Sequence, residues 1–425
     1  MTPIFSDLTQ TRQDNLTELF VNWMAHRPFM EDVGGDDVRV VEMEVLKRGR
    51  PGLVDVVAEV GGRVVHAVFG ILRPGDDVHF LRSGEEVVLG VFEDDDGLGV
   101  VIDALHDAEL ASLLLSVVTG EDPLDEGVVL VSDNEEGTVL TFGEHRSLRV
   151  FSWLAEGNDL GVDMMVSLDD AGFNHLAAPL ARWRRGGRDV GVVQELLAGS
   201  TSGWAVALTS LRDLYGSGVR PEDAGGDFGP ESKALGTMTA RMHLALDQVF
   251  GRRVVDLAQL LDEVEKVVRD ADASLLEGAG GEHVAETISK LRGVDLRLPT
   301  LRVHGDFHLG RTIRTDQGWV VADFMPGADS AGEPTFRPPL ADVADMLWSL
   351  HNVAAVASLE RDPTGRSGLS SLGGAWEKRN RRAFMSAYLA TPGIRGLVPF
   401  DRDIAFKVVA VLELVHAAMR ADRAG

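Results

Sequence analysis

The chain has 425 residues, with 67 acidic against 41 basic side chains and a formal net charge of −26. That balance argues against a nucleic-acid binder or a protein drawn to anionic membranes, since both need clustered Lys and Arg; the charge is read as a solubility feature. Cysteine is absent, which excludes disulfides, thiolate zinc sites and a cysteine nucleophile.

No apolar run approaches the ~18 residues of a membrane span. The polar N-terminus MTPIFSDLTQTRQDN lacks a basic-then-apolar leader pattern, so the cytoplasm is the expected location. Only six lysines occur (Lys47, Lys233, Lys266, Lys290, Lys378 and Lys407), and none falls between positions 48 and 232.

In chain order, Leu16, Leu19, Phe20 and Trp23 recur at helical spacing within 1–35. Short β-type runs follow: Val38–Val45, Leu53–Val60, Val64–Leu72, Val78–Leu81, Val87–Phe92 and Gly99–Ile102, separated by Gly, Pro and Asp turn signals. A helix is expected over Asp107–Val118. Three further strands are expected over Val128–Ser132, Gly137–Phe142 and Ser147–Trp153. Next come a helix around Asp163–Ala171 and a strand pair, Leu176–Arg184 and Asp189–Leu197. After Gly199 the chain turns helical, with amphipathic stretches at Ala205–Tyr215, Pro230–Phe250, Leu257–Asp272, Glu282–Leu291, Asp342–Val356, Trp376–Tyr388 and Asp401–Ala421. One β-like island, Leu301–Phe324, interrupts them.

That island carries the chemistry. It reads His304-Gly305-Asp306-Phe307-His308-Leu309-Gly310, then Trp319-Val320-Val321-Ala322-Asp323-Phe324. A polar loop after a short strand is followed by an apolar strand ending in aspartate, with enough chain between for a hairpin. Asp306 and Asp323 are therefore expected to converge. Phosphoryl transfer needs one carboxylate to orient the attacking hydroxyl and another to hold the magnesium that neutralises the phosphates; Asp306 suits the first role and Asp323 the second. His304 and His308 flank Asp306, where hydrogen bonding that holds the loop, contact with the acceptor or metal ligation are the options. No Walker-type phosphate loop, H-E-x-x-H pair or G-x-S-x-G elbow is present.

On these residues the chain resembles the actinobacterial maltokinase and glucosamine kinase-like family, in the aminoglycoside-phosphotransferase branch of the protein-kinase-like fold. Trp23-Met24, Asp103-Ala104-Leu105, Val150-Phe151, Ala171-Gly172-Phe173, Gly203-Trp204, Leu235-Gly236 with His243, Gly332-Glu333-Pro334 and Asp342–Leu347 extend the likeness along most of the chain. The resemblance implies an α+β, bilobal fold: an N-terminal cap over 1–104, a β-rich lobe over 105–198 and a mainly helical lobe over 199–425 that bears the catalytic loop 304–324. It also implies ATP and Mg²⁺ as cofactors and a small-molecule sugar as acceptor. Gln194, Glu195 and Leu196 take the place of the interlobe hinge, and the turn Asp133–Thr138 takes the place of the one that covers the phosphates.

Five departures stand out. Arg149 occupies the position of the family's phosphate-binding lysine, which the lysine-free stretch cannot supply, and Asp163 that of its partner glutamate. Arg311 stands where the family has a metal-site glutamine, and arginine has no lone pair to coordinate an ion. An insertion, Met325–Ala331, follows Phe324. The last helix is more apolar than the family's; Glu413 and His416, three apart on it, are candidate acceptor contacts against the plainer reading of a surface pair. Two readings follow: a sugar kinase of the maltokinase type, with an aminosugar kinase as variant, or a degenerate kinase fold that serves as scaffold for a trehalose synthase-like partner.

Overall fold

The structure, a computed structural model, describes residues 4–6, 10–24, 38–82, 87–94, 97–123, 127–134, 136–272, 278–327, 332–361 and 369–424. Glu135 of the expected phosphate turn and positions 328–331 of the insertion lie outside these.

The first strands form a seven-stranded sheet. Six of its elements are β1 (Ile4–Ser6), β2 (Val38–Lys47), β3 (Gly52–Val60), β4 (Arg63–Leu72), β5 (Val88–Asp94) and β6 (Gly97–Asp103), ordered β1-β2-β3-β4-β6-β5, and the seventh, Trp153–Leu154, pairs with β4 off this path. Helix α1 (Gln10–Met24) lays Leu16, Phe20 and Met24 onto one face, against Met43, Val56 and Phe69. The expected strand Val78–Leu81 does not form. That segment makes only an isolated bridge, Phe80 to Asp107, because Leu81 N donates to His106 O rather than to a strand neighbour.

Helix α2 (Ala108–Thr119) starts where the Asp107 carboxylate accepts from Glu109 N and Leu110 N, and stops at Gly120 in the left-handed region (φ +73°). The next strands are β7 (Val128–Asn134), β8 (Gly137–Phe142) and β9 (Arg146–Val150). The expected strand Ser147–Trp153 breaks after Val150. Its last residues, β10 (Trp153–Leu154), pair with β4 in the other sheet. The chain leaves through α3 (Leu160–Asp170) and returns as β11 (Pro179–Arg185) and β12 (Arg188–Glu195), giving an antiparallel sheet ordered β11-β12-β9-β8-β7. Leu110 and Leu114 of α2, Leu53 and Val57 of β3, and Leu140, Leu148 and Val190 share one core. The two sheets and α2 therefore form one unit, residues 1–162 with 177–198. At roughly 1.5–3 kcal/mol per fully buried large apolar side chain, this core dominates the unit's stability.

The second unit comprises residues 163–176 and 199–425. Its elements are β13 (Thr201–Ser202), α4 (Gly203–Ser217), α5 (Gly229–Phe250), β14 (Arg253–Asp256), α6 (Leu257–Asp272), α7 (Gly278–Arg292), β15 (Arg297–Thr300), β16 (Thr312–Thr315), β17 (Gly318–Val321), α8 (Leu340–Arg361), α9 (Leu369–Ala390) and α10 (Arg402–Ala424). Helix α8 is its centre: Val343, Met346, Leu350 and Val353 are buried on it. Helices α5 and α9 approach closely at Gly236, where a Cβ would come within 2.3 Å of Phe384 O. The small sheet β13-β16-β17 follows directly on the loop 304–311.

Candidate active site

The loop is anchored from both ends. Ahead of it, Leu301 and Arg337 exchange backbone hydrogen bonds of 2.9 Å. Beneath it, Asp342 in the first turn of α8 is fully buried; its carboxylate accepts from His304 N (2.8 Å), Gly305 N (3.1 Å) and His243 Nε2 (3.1 Å). Burial works to raise the Asp342 pKa, but the hydrogen bonds, led by that from His243, outweigh it and hold the group ionised. Tyr388 continues the network by donating to His243 Nδ1 at 2.9 Å. Further along, Leu309 N donates to Ser349 Oγ at 3.1 Å.

Gly305 is required where it stands. Its φ is +94°, and a Cβ there would fall 2.0 Å from Met325 O. The close approach exists because Met325 N donates to His304 O, lacing the two halves of the site together.

The hairpin β16–β17 pairs Thr312 with Val321 and so returns the chain beside its own start. Ala322 N donates to Arg311 O at 2.9 Å, and His304 Nε2 donates to Ala322 O at 3.0 Å. Asp323, next in sequence, adopts φ +52°, the positive-φ non-glycine residue among those described. Such strain marks sites where the surroundings over-determine the backbone.

The convergence expected of Asp306 and Asp323 is present, with a guanidinium between them. Arg311 Nη1 donates to Asp323 Oδ2 at 3.1 Å, and its Nη2 and Nε lie 3.3 and 3.4 Å from Asp306 Oδ2. His308 Nε2 is 3.4 Å from the same Asp306 oxygen, while its Nδ1 accepts from Gly310 N. The His308 hydrogen bond, with the Arg311 charge, brings the Asp306 pKa down to about 2. A magnesium ion held by both carboxylates does not fit this arrangement, because Arg311 lies in the intervening space and offers no lone pair. Among the described residues no group of three or more His, Asp or Glu could hold a metal ion.

His304 corrects an expectation. It is 0% exposed, its Nε2 donates to Ala322 O, and its Nδ1 faces Asp306 N at 3.4 Å. Burial lowers its pKa, so the ring is a neutral brace inside the loop and presents nothing to an acceptor. His308, partly exposed beside Asp306, is the histidine that can meet one.

Glu413 and His416 face different helices. Glu413 receives a bidentate pair from Arg381 of α9 at 2.7 Å each, and His416 Nε2 is 2.6 Å from Asp345 Oδ1 of α8, with its ring stacked on Trp348. Among the described residues their polar partners are these, not the 304–324 loop. Glu413 lines a cleft of about 520 Å³ with Leu347, Met385, Phe406 and Val409.

Arg149 sits on the central strand of its sheet, half-buried between the inward Leu148 and Val150. Asp163, in the other unit, lies 3.7 Å from Arg302 Nη1. At the expected hinge, Glu195 N donates to Ala178 O and Leu196 N to His145 O, so neither amide is open to a base; Gln194 and Glu195 complete the β12–β9 ladder. Arg302 and the loop-holding Asp342 were not singled out from the sequence. The run Asp342–Leu347 contributes to the family likeness, but nothing in it marks which aspartate turns inward.

No protein-family model matches the chain. A glucosamine kinase of Streptacidiphilus jiangxiensis is 28% identical over 322 residues, 70% of this chain and 68% of that protein. A second, of Mycolicibacterium smegmatis, is 26% identical over 338 residues, 74% of this chain and 79% of that protein. Among solved structures, a glucosamine kinase superposes with a TM-score of 0.65 at 21% identity, covering 95% of this chain and 94% of that one. A glucosamine kinase in complex with glucosamine, ADP and inorganic phosphate gives 0.61 at 21% identity, covering 96% and 97%. The fold is thus the α+β, protein-kinase-like one that the sequence resemblance implied. The similarity extends to glucosamine kinases and not to a maltokinase among these relatives.

Proposed function

We propose that this chain is an ATP-dependent kinase that phosphorylates a hydroxyl of an amino sugar of the glucosamine type. The observation that supports it best is the laced loop 304–324, which holds Asp306 ionised, half-exposed and beside an arginine. The curated relatives favour an aminosugar over maltose as acceptor.

In this reading the acceptor hydroxyl oxygen attacks the γ-phosphorus, the bond from that phosphorus to the β,γ-bridging oxygen breaks, ADP departs and the hydroxyl proton passes to Asp306. A carboxylate with so low a pKa is a weak base. Its contribution is mainly to orient the hydroxyl and to take the proton late, as suits a loose phosphoryl-transfer transition state. His308 steadies Asp306, and Arg311 meets the charge that accumulates around the transferred group. Arg149, on the central strand of the first unit's smaller sheet, takes the place of the family's phosphate lysine. Asp323 takes the end of the site opposite Asp306. Since the pair does not fit a shared magnesium ion, no step is assigned to one.

A coupled assay for ADP release over a panel of sugars tests the reading. Release stimulated by glucosamine above maltose and glucose is expected. Stimulation by maltose alone would overturn the aminosugar assignment, and no release with any sugar, together with no thermal shift by Mg-ATP, would favour the degenerate-kinase reading.

A further inference from the structure

The arginine between the two aspartates does more than fill a gap. Its fork spans the site, with Nη1 on Asp323 and both Nη2 and Nε on Asp306. The side chain is only 17% exposed. Its backbone is fixed to the same frame, since Arg311 O accepts from Ala322 N, the residue before Asp323. Arg311 and Asp323 thus flank one hairpin, β16–β17, and Asp306 lies in the loop that leads into it.

We propose that Arg311 is a resident cation that occupies the place between Asp306 and Asp323 and excludes a divalent ion from being shared by them. Two carboxylates facing one space repel each other unless a cation intervenes. A guanidinium does so with directed hydrogen bonds, which a point-like ion lacks. A divalent ion bridging both would have to displace three charge-assisted contacts or sit beside a positive charge at short range, where like-charge repulsion is strongest. Calling the place a phosphoryl-transfer centre rests on the reading above; the competition itself depends only on the three side chains.

The test is Mn²⁺ titration of the full chain followed by electron paramagnetic resonance of the free ion, without nucleotide, so that failure of the kinase reading leaves it untouched. Arg311→Gln is expected to bind Mn²⁺ about tenfold or more tighter than the wild-type chain, on the scale of removing one adjacent unit charge. The gain should vanish in Arg311→Gln with Asp323→Asn. Equal binding by wild type and Arg311→Gln would overturn the proposal. If Arg311→Gln does not fold by circular dichroism, Asp323→Asn in the wild-type background decides: unchanged Mn²⁺ binding supports the proposal, and loss of a site that the wild type already has overturns it.

Discussion

The buried carboxylate of Asp342 lies 2.8 Å from the amide nitrogen of His304, so helix α8 sets the position of the loop that bears Asp306. Replacing Asp342 by Asn puts an amide N–H against at least one of the three donors that now converge on it. A loss of about 2–4 kcal/mol in stability by urea unfolding is expected, the scale of a broken buried charged network. An unchanged unfolding midpoint would mean that the loop holds itself.

Gly305→Ala should cost about 3 kcal/mol or more. The added carbon meets backbone at 2.0 Å, where no side chain can move aside, and φ +94° is strained for any L-residue. Denaturant unfolding checks this; a loss under about 1 kcal/mol would show that the 304–325 lacing yields easily.

His106 gives a pH prediction. Burial alone would lower its pKa, but the hydrogen bonds that its ring donates to the Asp103 and Asp133 carboxylates outweigh this and raise it to about 9. A raised folded-state pKa means that the stabilisation is full below the unfolded value near 6.5 and is lost as pH rises through 9. The melting-temperature gap between wild type and His106→Gln should therefore be wide at pH 6 and narrow above pH 9. A gap that is flat across this window contradicts the charged assignment.

Glu413 is bound to Arg381 rather than presented to an acceptor. Glu413→Ala should lower stability by about 1–3 kcal/mol, because it removes the bidentate partner of a partly buried guanidinium and leaves it only Leu347 O and the more distant Glu377. The KM for the sugar should stay within about twofold of wild type. A tenfold rise in KM with stability intact would restore Glu413 as an acceptor contact.

The candidate site was legible because its logic is local: a loop, a hairpin and two aspartates lie in one short stretch, and Arg311 between them could be read as a non-ligand from its chemistry alone. Helix and strand positions followed from apolar periodicity and turn residues. The parts that escaped depend on distant chain. Val78–Leu81 alternates like a strand, yet it bonds to His106, Asp107 and Ala108 rather than to a neighbouring strand. Ser147–Trp153 reads as one strand but divides between two sheets, since Phe151 N turns to Val190 O. His304 looked open to an acceptor because sequence shows adjacency to Asp306 and not depth. Glu413 and His416 share a helical spacing, yet α9 claims one and α8 the other.

The most direct measurement is glucosamine-dependent ADP release by the wild-type chain and by Asp306→Asn, with both shown to be folded by circular dichroism. The account predicts turnover by the wild type and a fall in kcat of at least about a hundredfold in the variant, the usual scale for removing a positioned proton acceptor. Equal turnover by the two would contradict the assignment of Asp306, and with it the phosphoryl-transfer reading of the loop.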